Sequence, residues 1–166
     1  IREAVTESEI ARFFGELHTY HRRDIFPETE QAEDLAYFLS DGYLSQLKTL
    51  HRRQENRLHF LFFERSGQDI GFTMPVIYGS EDGKCFIMEF CVYPEFRGNS
   101  TGHACGEALL SWARERGASC FELNCDTAAR ALLGQTWLSA ERLRRVERKV
   151  DAAPTGGGCA WSECAA

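Results

Sequence analysis

The sequence predicts an α/β (α+β) domain: a mixed, mainly antiparallel sheet flanked by helices. Three observations carry that reading. Residues 6–52 repeat apolar side chains at helical spacing, and from Arg57 the period becomes that of extended chain, with three strands in succession. The third of these strands then leads through a glycine-bearing loop into another apolar-faced helix. The chain has 166 residues, 43% of them hydrophobic and 27% charged, a balance that fits one domain with a real core. A disordered or fibrous chain is excluded.

Ile1 to Val5 reads as a short first strand, and Thr6-Glu7-Ser8-Glu9 is a capping box that opens a helix. Ile10, Phe13, Phe14, Leu17 and Tyr20 form that helix's buried stripe, and Pro27 ends the turn after it. A second helical region spans about Glu30 to Arg52, with Leu35, Phe38, Leu39, Leu44, Leu47 and Leu50 apolar and a break at Asp41-Gly42. The acidic residues Glu28, Glu30, Glu33 and Asp34 suit the positive end of that helix. Leu58 to Glu64, Asp69 to Tyr78 and Lys84 to Tyr93 are the three strands, divided by turns at Ser66-Gly67 and Gly79 to Gly83. Gly102 to Arg116 is a helix whose face carries Ala104, Cys105, Ala108, Leu109, Trp112 and Ala113, and Gly117 stops it. Ser119 to Cys125 alternates as a strand, and Asp126 starts another helix. Beyond Ser139 the pattern decays, so the expected division is a domain over residues 1–139 and an atypical segment, basic and then Gly/Ala/Cys-rich, over 140–166.

The net charge of −6 opposes general binding to nucleic acid and favours cationic partners. It is uneven. Residues 1–126 hold 13 basic and 21 acidic side chains, while residues 127–166 hold 6 and 4. Arg142, Arg144, Arg145, Arg148 and Lys149 read first as a solvated helix face, and second as a nucleic-acid or membrane-surface patch. Seven cysteines lie at 85, 91, 105, 120, 125, 159 and 164 with no C-x-x-C pair, so reduced thiols are expected and no metal site. The longest strongly apolar run, Phe60 to Phe63, is far short of the roughly 20 residues needed to cross a bilayer. No signal-peptide pattern occupies Ile1 to Val5, and the expected location is cytoplasmic.

The most informative stretch is Phe90-Cys91-Val92-Tyr93-Pro94, then Glu95-Phe96-Arg97-Gly98-Asn99-Ser100-Thr101-Gly102-His103, then the helix. A loop of this kind aims unpaired backbone N–H groups and the positive end of a helix at one spot, which suits an anion. Glycine at 98 and 102 allows close approach of a ligand, and Thr101 or Ser100 can cap the helix. The same geometry also serves as a plain capped loop. Neither the Walker P-loop nor the G-x-G-x-x-G dinucleotide fingerprint is present.

The run from Val92 to Gly102 resembles the signature of the GNAT superfamily of N-acetyltransferases, V-x-P-x-x-R-G-x-G-x-G, and the order of elements over residues 1–139 resembles that superfamily too. The resemblance implies a splayed pair of central strands and acetyl-CoA as cosubstrate, with no metal. It implies that the backbone of Arg97, Gly98, Asn99, Ser100, Thr101 and Gly102, with His103, holds the pyrophosphate. Phe90, Cys91 and Val92 would pair with the pantetheine arm, and Asn124 would lie beside it. Two departures stand out. Ser100 replaces the middle glycine of the signature, which asks a Cβ-bearing residue to take an unfavourable φ. The expected closing strands are not visible after Trp137, and Ala128 to Leu133 contains no tyrosine to serve as a general acid.

The implied reaction is transfer of an acetyl group to a primary amine by direct attack in a ternary complex, with no nucleophilic cysteine. Glu89 is the leading candidate base, since a carboxylate inside an apolar strand is suited to removing a proton; alternatively it pairs with a basic neighbour or reaches solvent. Tyr93 is the second candidate. His103 reads as a helix-start residue touching phosphate or water rather than a catalyst. Phe13, Phe14, Tyr20, Phe38 and Tyr43 read as core, in the region where the superfamily shapes its acceptor pocket. The expected partner is a small-molecule or peptide-borne amine, cationic on charge grounds, with homodimerisation left open. The alternative function is a GNAT-fold domain that binds acyl-CoA or a partner without turnover.

Overall fold

The computed structural model describes residues 1–27, 32–81 and 83–123. The elements follow in the order β1 (Arg2–Glu3), α1 (Glu7–Tyr20), a π-helical turn (His21–Ile25), α2 (Ala32–Phe38) and α3 (Asp41–His51). Then come β2 (Leu61–Arg65), β3 (Gln68–Tyr78), β4 (Lys84–Val92), a 3₁₀ turn (Pro94–Phe96), α4 (Thr101–Arg114) and β5 (Cys120–Leu123). Asn124, Cys125, the helix expected from Asp126, the boundary at residue 139 and the segment after it lie outside the described residues.

The capping box opens α1 as its sequence requires: the Glu9 backbone N–H donates to the Thr6 hydroxyl, and the Glu9 carboxylate accepts from the Thr6 N–H at 3.0 Å. Those backbone donors, Thr6 first and Val5 second, pull the Glu9 carboxyl down to about 2. The break between the next helices departs from expectation. Asp41 and Gly42 form the first turn of α3, and Ser40 is its N-cap, accepting from the Tyr43 N–H at 3.1 Å. A capping serine, rather than the glycine, sets the interruption.

The sheet order is β1-β2-β3-β4-β5, antiparallel through β4, with β5 parallel to β4. One face carries Phe60, Phe62, Phe72 and Met74 against Phe13, Phe14 and Leu17 of α1 and Tyr43 and Leu47 of α3. The other carries Leu61, Phe63, Cys85 and Ile87 against Leu109, Leu110, Trp112 and Ala113 of α4. Both faces of the sheet are covered, which is why Leu61-Phe62-Phe63 is apolar without alternation. At Gly71, opposite Val92, a Cβ would stand 2.2 Å from the Cys91 carbonyl oxygen, so glycine lets β4 approach β3 there.

The feature that positions the site is a bulge in β4. Met74 pairs with Glu89 and Pro75 with Ile87, which leaves Met88 without an opposite residue. Pro75 has no N–H to give the ladder, so the register shifts at that point. Met88 packs into the α1 side of the core, and its neighbour Glu89 faces the same side, toward His21. Among the described residues, β5 pairs with β4 only over Lys84–Ile87, so the edge from Met88 to Val92 has no described strand beside it.

Candidate active site

Beyond β4 the chain turns at Pro94–Phe96 and then places three successive residues at positive φ: Gly98 at 93°, Asn99 at 45° and Ser100 at 60°. This conformation closes the turn tightly, with Thr101 N–H donating to Gly98 O at 2.9 Å and Ala104 N–H to Ser100 O at 3.0 Å. Among the described residues, the N–H groups of Gly98, Asn99, Ser100 and Gly102 find no acceptor. A Cβ built on Gly98 or Gly102 would meet nothing within 4 Å. A turn with unpartnered backbone donors and open space at its glycines thus precedes the positive end of a 14-residue helix. Ser100 holds the strained conformation expected of it, which costs an L-residue about 1–2 kcal/mol. The expected side-chain cap is absent: Ser100 occupies the N-cap in a left-handed conformation and its hydroxyl makes no capping bond. Thr101 is buried, and His103 lies exposed on the first turn of α4.

The Arg97 side chain joins two other segments. Its Nε donates to Val92 O at 2.9 Å, and its guanidinium pairs with Asp24 in the π-helical turn. Asp24 also accepts from Arg23, at 3.0 and 2.7 Å, and these bonds, with those from Arg97, hold its carboxyl below the usual range. Cys91 and Val92 are buried on opposite faces of the sheet, and Phe90 packs against Phe63, ring centroids 5.1 Å apart. Burial pushes the Cys91 and Cys105 thiols up to about 11 and the Cys85 thiol to about 12, so all three stay protonated at neutral pH.

Glu89 is held at both ends. Its carbonyl accepts from the buried Thr73 hydroxyl at 2.7 Å, which adds a side-chain tie across the strands beside the bulge. Its carboxylate lies 3.2 Å from His21 Nε2. The pairing with a basic neighbour, one of the two alternatives weighed from sequence, is therefore present. Tyr20 and Tyr43 stand nearby; burial first, and then the negative charge of Glu89, pushes both phenols above their ordinary range. Tyr93 lies on the same face of the strand but four residues on, roughly 13 Å away. It packs toward Phe72, and burial is the main cause of its raised phenol.

The structure thus brings Glu89 and the 97–102 turn to the two ends of one stretch of β4, while Asn124 lies outside the described residues. Sequence reasoning missed His21, Asp24 and Thr73. A signal for His21 existed: Ile10, Phe14, Leu17 and His21 continue one stripe at steps of four, three and four, so His21 is a polar residue in a core position.

Residues 15–135 match the model described as the acetyltransferase (GNAT) family. The chain belongs to the GNAT acetyltransferase family. Its fold is similar to that of the Bacillus subtilis protein YycN, with a TM-score of 0.64 at 16% identity over 96% of this chain and 98% of that one. It is also similar to an aminoglycoside acetyltransferase from an uncultured soil metagenomic sample, in complex with sisomicin: TM-score 0.61, 16% identity, 92% of this chain and 93% of that one. A Clostridium acetobutylicum protein determined with acetyl-CoA gives a TM-score of 0.50 at 17% identity, over 81% and 86% of the two chains. No curated protein matches the sequence. GNAT acetyltransferases use acetyl-CoA, and the unpartnered donors and open space beside Gly98 and Gly102 in this GNAT chain fit an anionic diphosphate. Among the described residues no group of three His, Cys, Asp or Glu could hold a metal ion, and no described helix is long and apolar enough to cross a membrane.

Proposed function

We propose that this chain is an N-acetyltransferase that moves an acetyl group from acetyl-CoA to a primary amine by direct attack in a ternary complex. The observation that carries the reading is the run of positive-φ residues Gly98-Asn99-Ser100 before α4, whose N–H groups, with that of Gly102, lack an acceptor among the described residues. Acetyl-CoA supplies the activated acyl thioester. The backbone of residues 97–102, with His103 on the first turn of α4, binds the diphosphate. Arg97 contributes from behind, fixing the turn through Val92 and Asp24. The edge of β4 at Phe90, Cys91 and Val92 pairs with the amide-bearing arm, which aligns the thioester beside Glu89; Asn124 is assigned to the far side of that arm. A main-chain N–H near Cys91 or Val92 donates to the carbonyl oxygen as negative charge develops on it.

Glu89, directly or through one water, accepts the proton that the ammonium must lose before its nitrogen can attack. Tyr93 is a secondary candidate, disfavoured by its distance along the strand. The protonated thiols of Cys85, Cys91 and Cys105 favour direct attack over a covalent acyl-enzyme. The acceptor class we favour is a small or peptide-borne cationic amine, consistent with the acidic first 126 residues and with the aminoglycoside acetyltransferase among the structural neighbours. Calorimetric titration with CoA, followed by thiol release over an amine panel that includes an aminoglycoside, tests the reading. Heat together with amine-dependent thiol release is the expected result. Heat without release favours the binding-only alternative, and absence of heat contradicts both.

A further inference from the structure

We propose that His21 is a positioning residue for Glu89: the π-helical turn at the end of α1 delivers its imidazole Nε2–H to the carboxylate. The inference rests on Glu89 acting as the base. The geometry is direct, with His21 Nε2 3.2 Å from Glu89 Oε1 and His21 only 1% exposed. The other ring nitrogen, Nδ1, is buried and has no hydrogen-bond partner among the described residues.

That asymmetry assigns the tautomer. A hydrogen on Nδ1 would be a buried donor with nothing to accept it, whereas a hydrogen on Nε2 meets a carboxylate oxygen. The ring therefore carries its hydrogen on Nε2 and donates to Oε1, while the Tyr20 phenol stands against the same carboxylate. Thr73 fixes the main chain of the same residue through the Glu89 carbonyl, so the base is oriented from two directions.

Packing alone does not explain a histidine here. The ring sits among Phe38 at 5.0 Å, Tyr43 at 6.2 Å and Phe26 at 6.2 Å, an apolar setting in which phenylalanine would leave no unpaired nitrogen. The backbone has also departed from α-helix at this residue. Phe26 N–H donates to His21 O at 2.8 Å, five residues back, which is the wide turn that π-helical segments use, frequently at functional sites. The same turn carries Asp24, which holds Arg97, so one short segment supports both the base and the diphosphate turn.

The test compares His21→Phe, His21→Gln and Glu89→Gln, together with ¹⁵N NMR of the imidazoles in the wild-type protein without ligand. Turnover is followed with acetyl-CoA and whichever amine of the panel gives the fastest thiol release. His21→Phe keeps the ring and its packing but removes the donor. We expect it to fold, to bind CoA within about twofold of wild type, and to lose about tenfold in kcat, on the scale of a misoriented base. His21→Gln, whose Nε2 can reach the same carboxylate, should recover much of that loss, which a purely structural role would not do. The NMR spectrum should show His21 as the Nε2–H tautomer, with a resonance that moves in Glu89→Gln. Full kcat in His21→Phe, or an Nδ1–H tautomer, overturns the inference. If His21→Phe fails to fold, the wild-type tautomer decides. Slow Glu89→Gln with full-rate His21→Phe sinks this inference and leaves the base intact, whereas full-rate Glu89→Gln removes the base and the inference together.

Discussion

Arg97 and Asp24, 73 residues apart in sequence, form an ion pair that ties the turn before α4 to the π-helical end of α1. Arg97 also donates to Val92 O, so one guanidinium joins three segments: the last residue of β4, the donor-lined turn and the element that carries His21. The turn is thereby ordered before any ligand arrives.

Breaking that pair should loosen the turn. Asp24→Asn is expected to lower stability by about 1 kcal/mol at pH 7, the scale of a partly exposed pair, and to weaken CoA binding several-fold. The pH dependence has a definite sign. Because the folded state holds the Asp24 carboxyl below its usual range, the contribution is present above about pH 3.9, the unfolded value, and is lost as pH falls through the folded value. The Tm difference between wild type and Asp24→Asn, measured from pH 7 to pH 2, should shrink toward zero in acid. A constant difference would show that Asp24 acts without its charge.

Ser100→Gly removes a Cβ from a residue at φ 60° and should stabilise the fold by about 1 kcal/mol, or a few degrees in Tm. It should also tighten CoA binding, since the turn then holds less strain, with Asn99 as its one remaining positive-φ residue that bears a Cβ. An unchanged Tm with unchanged or weaker affinity would mean that the surrounding structure, rather than the serine, sets the conformation.

Gly102→Val puts a branched side chain into the open space beside the donors, where no atom lies within 4 Å. Folding should survive, since helix propensity ranks valine slightly above glycine and the added side chain meets no neighbour. CoA affinity should fall by more than tenfold, and normal affinity in calorimetry would contradict the cradle.

Thr73→Val keeps the shape of the side chain but removes its hydrogen bond to the Glu89 carbonyl. The expected cost is about 1 kcal/mol, read as a lower midpoint in urea, with a fall in turnover larger than any change in CoA affinity. Undiminished stability would show that the bulge carbonyl finds another partner.

Much of the fold could be read from local signals. The Thr6 to Glu9 box, the stripe of α1, the three strands and the signature turn each depend on neighbours within a few residues, and each formed close to where the sequence places it. What could not be read depends on contacts between distant segments. The Pro75 bulge turns Met88 and Glu89 to one face, and no periodicity announces it. His21 acquires its role only when a π-helical turn brings it against β4, 68 residues later. The side-chain pairing of Arg97 with Asp24 likewise joins segments 73 residues apart, and no local spacing announces it.

The most direct measurement is the backbone amide spectrum of the ¹⁵N-labelled protein as CoA is added. The amides of Gly98, Asn99, Ser100 and Gly102 should move downfield together as their hydrogens gain phosphate oxygens as acceptors, with a common saturation point. If CoA saturates the protein while those four signals stay in place, the diphosphate binds elsewhere and the proposed chemistry loses its foundation.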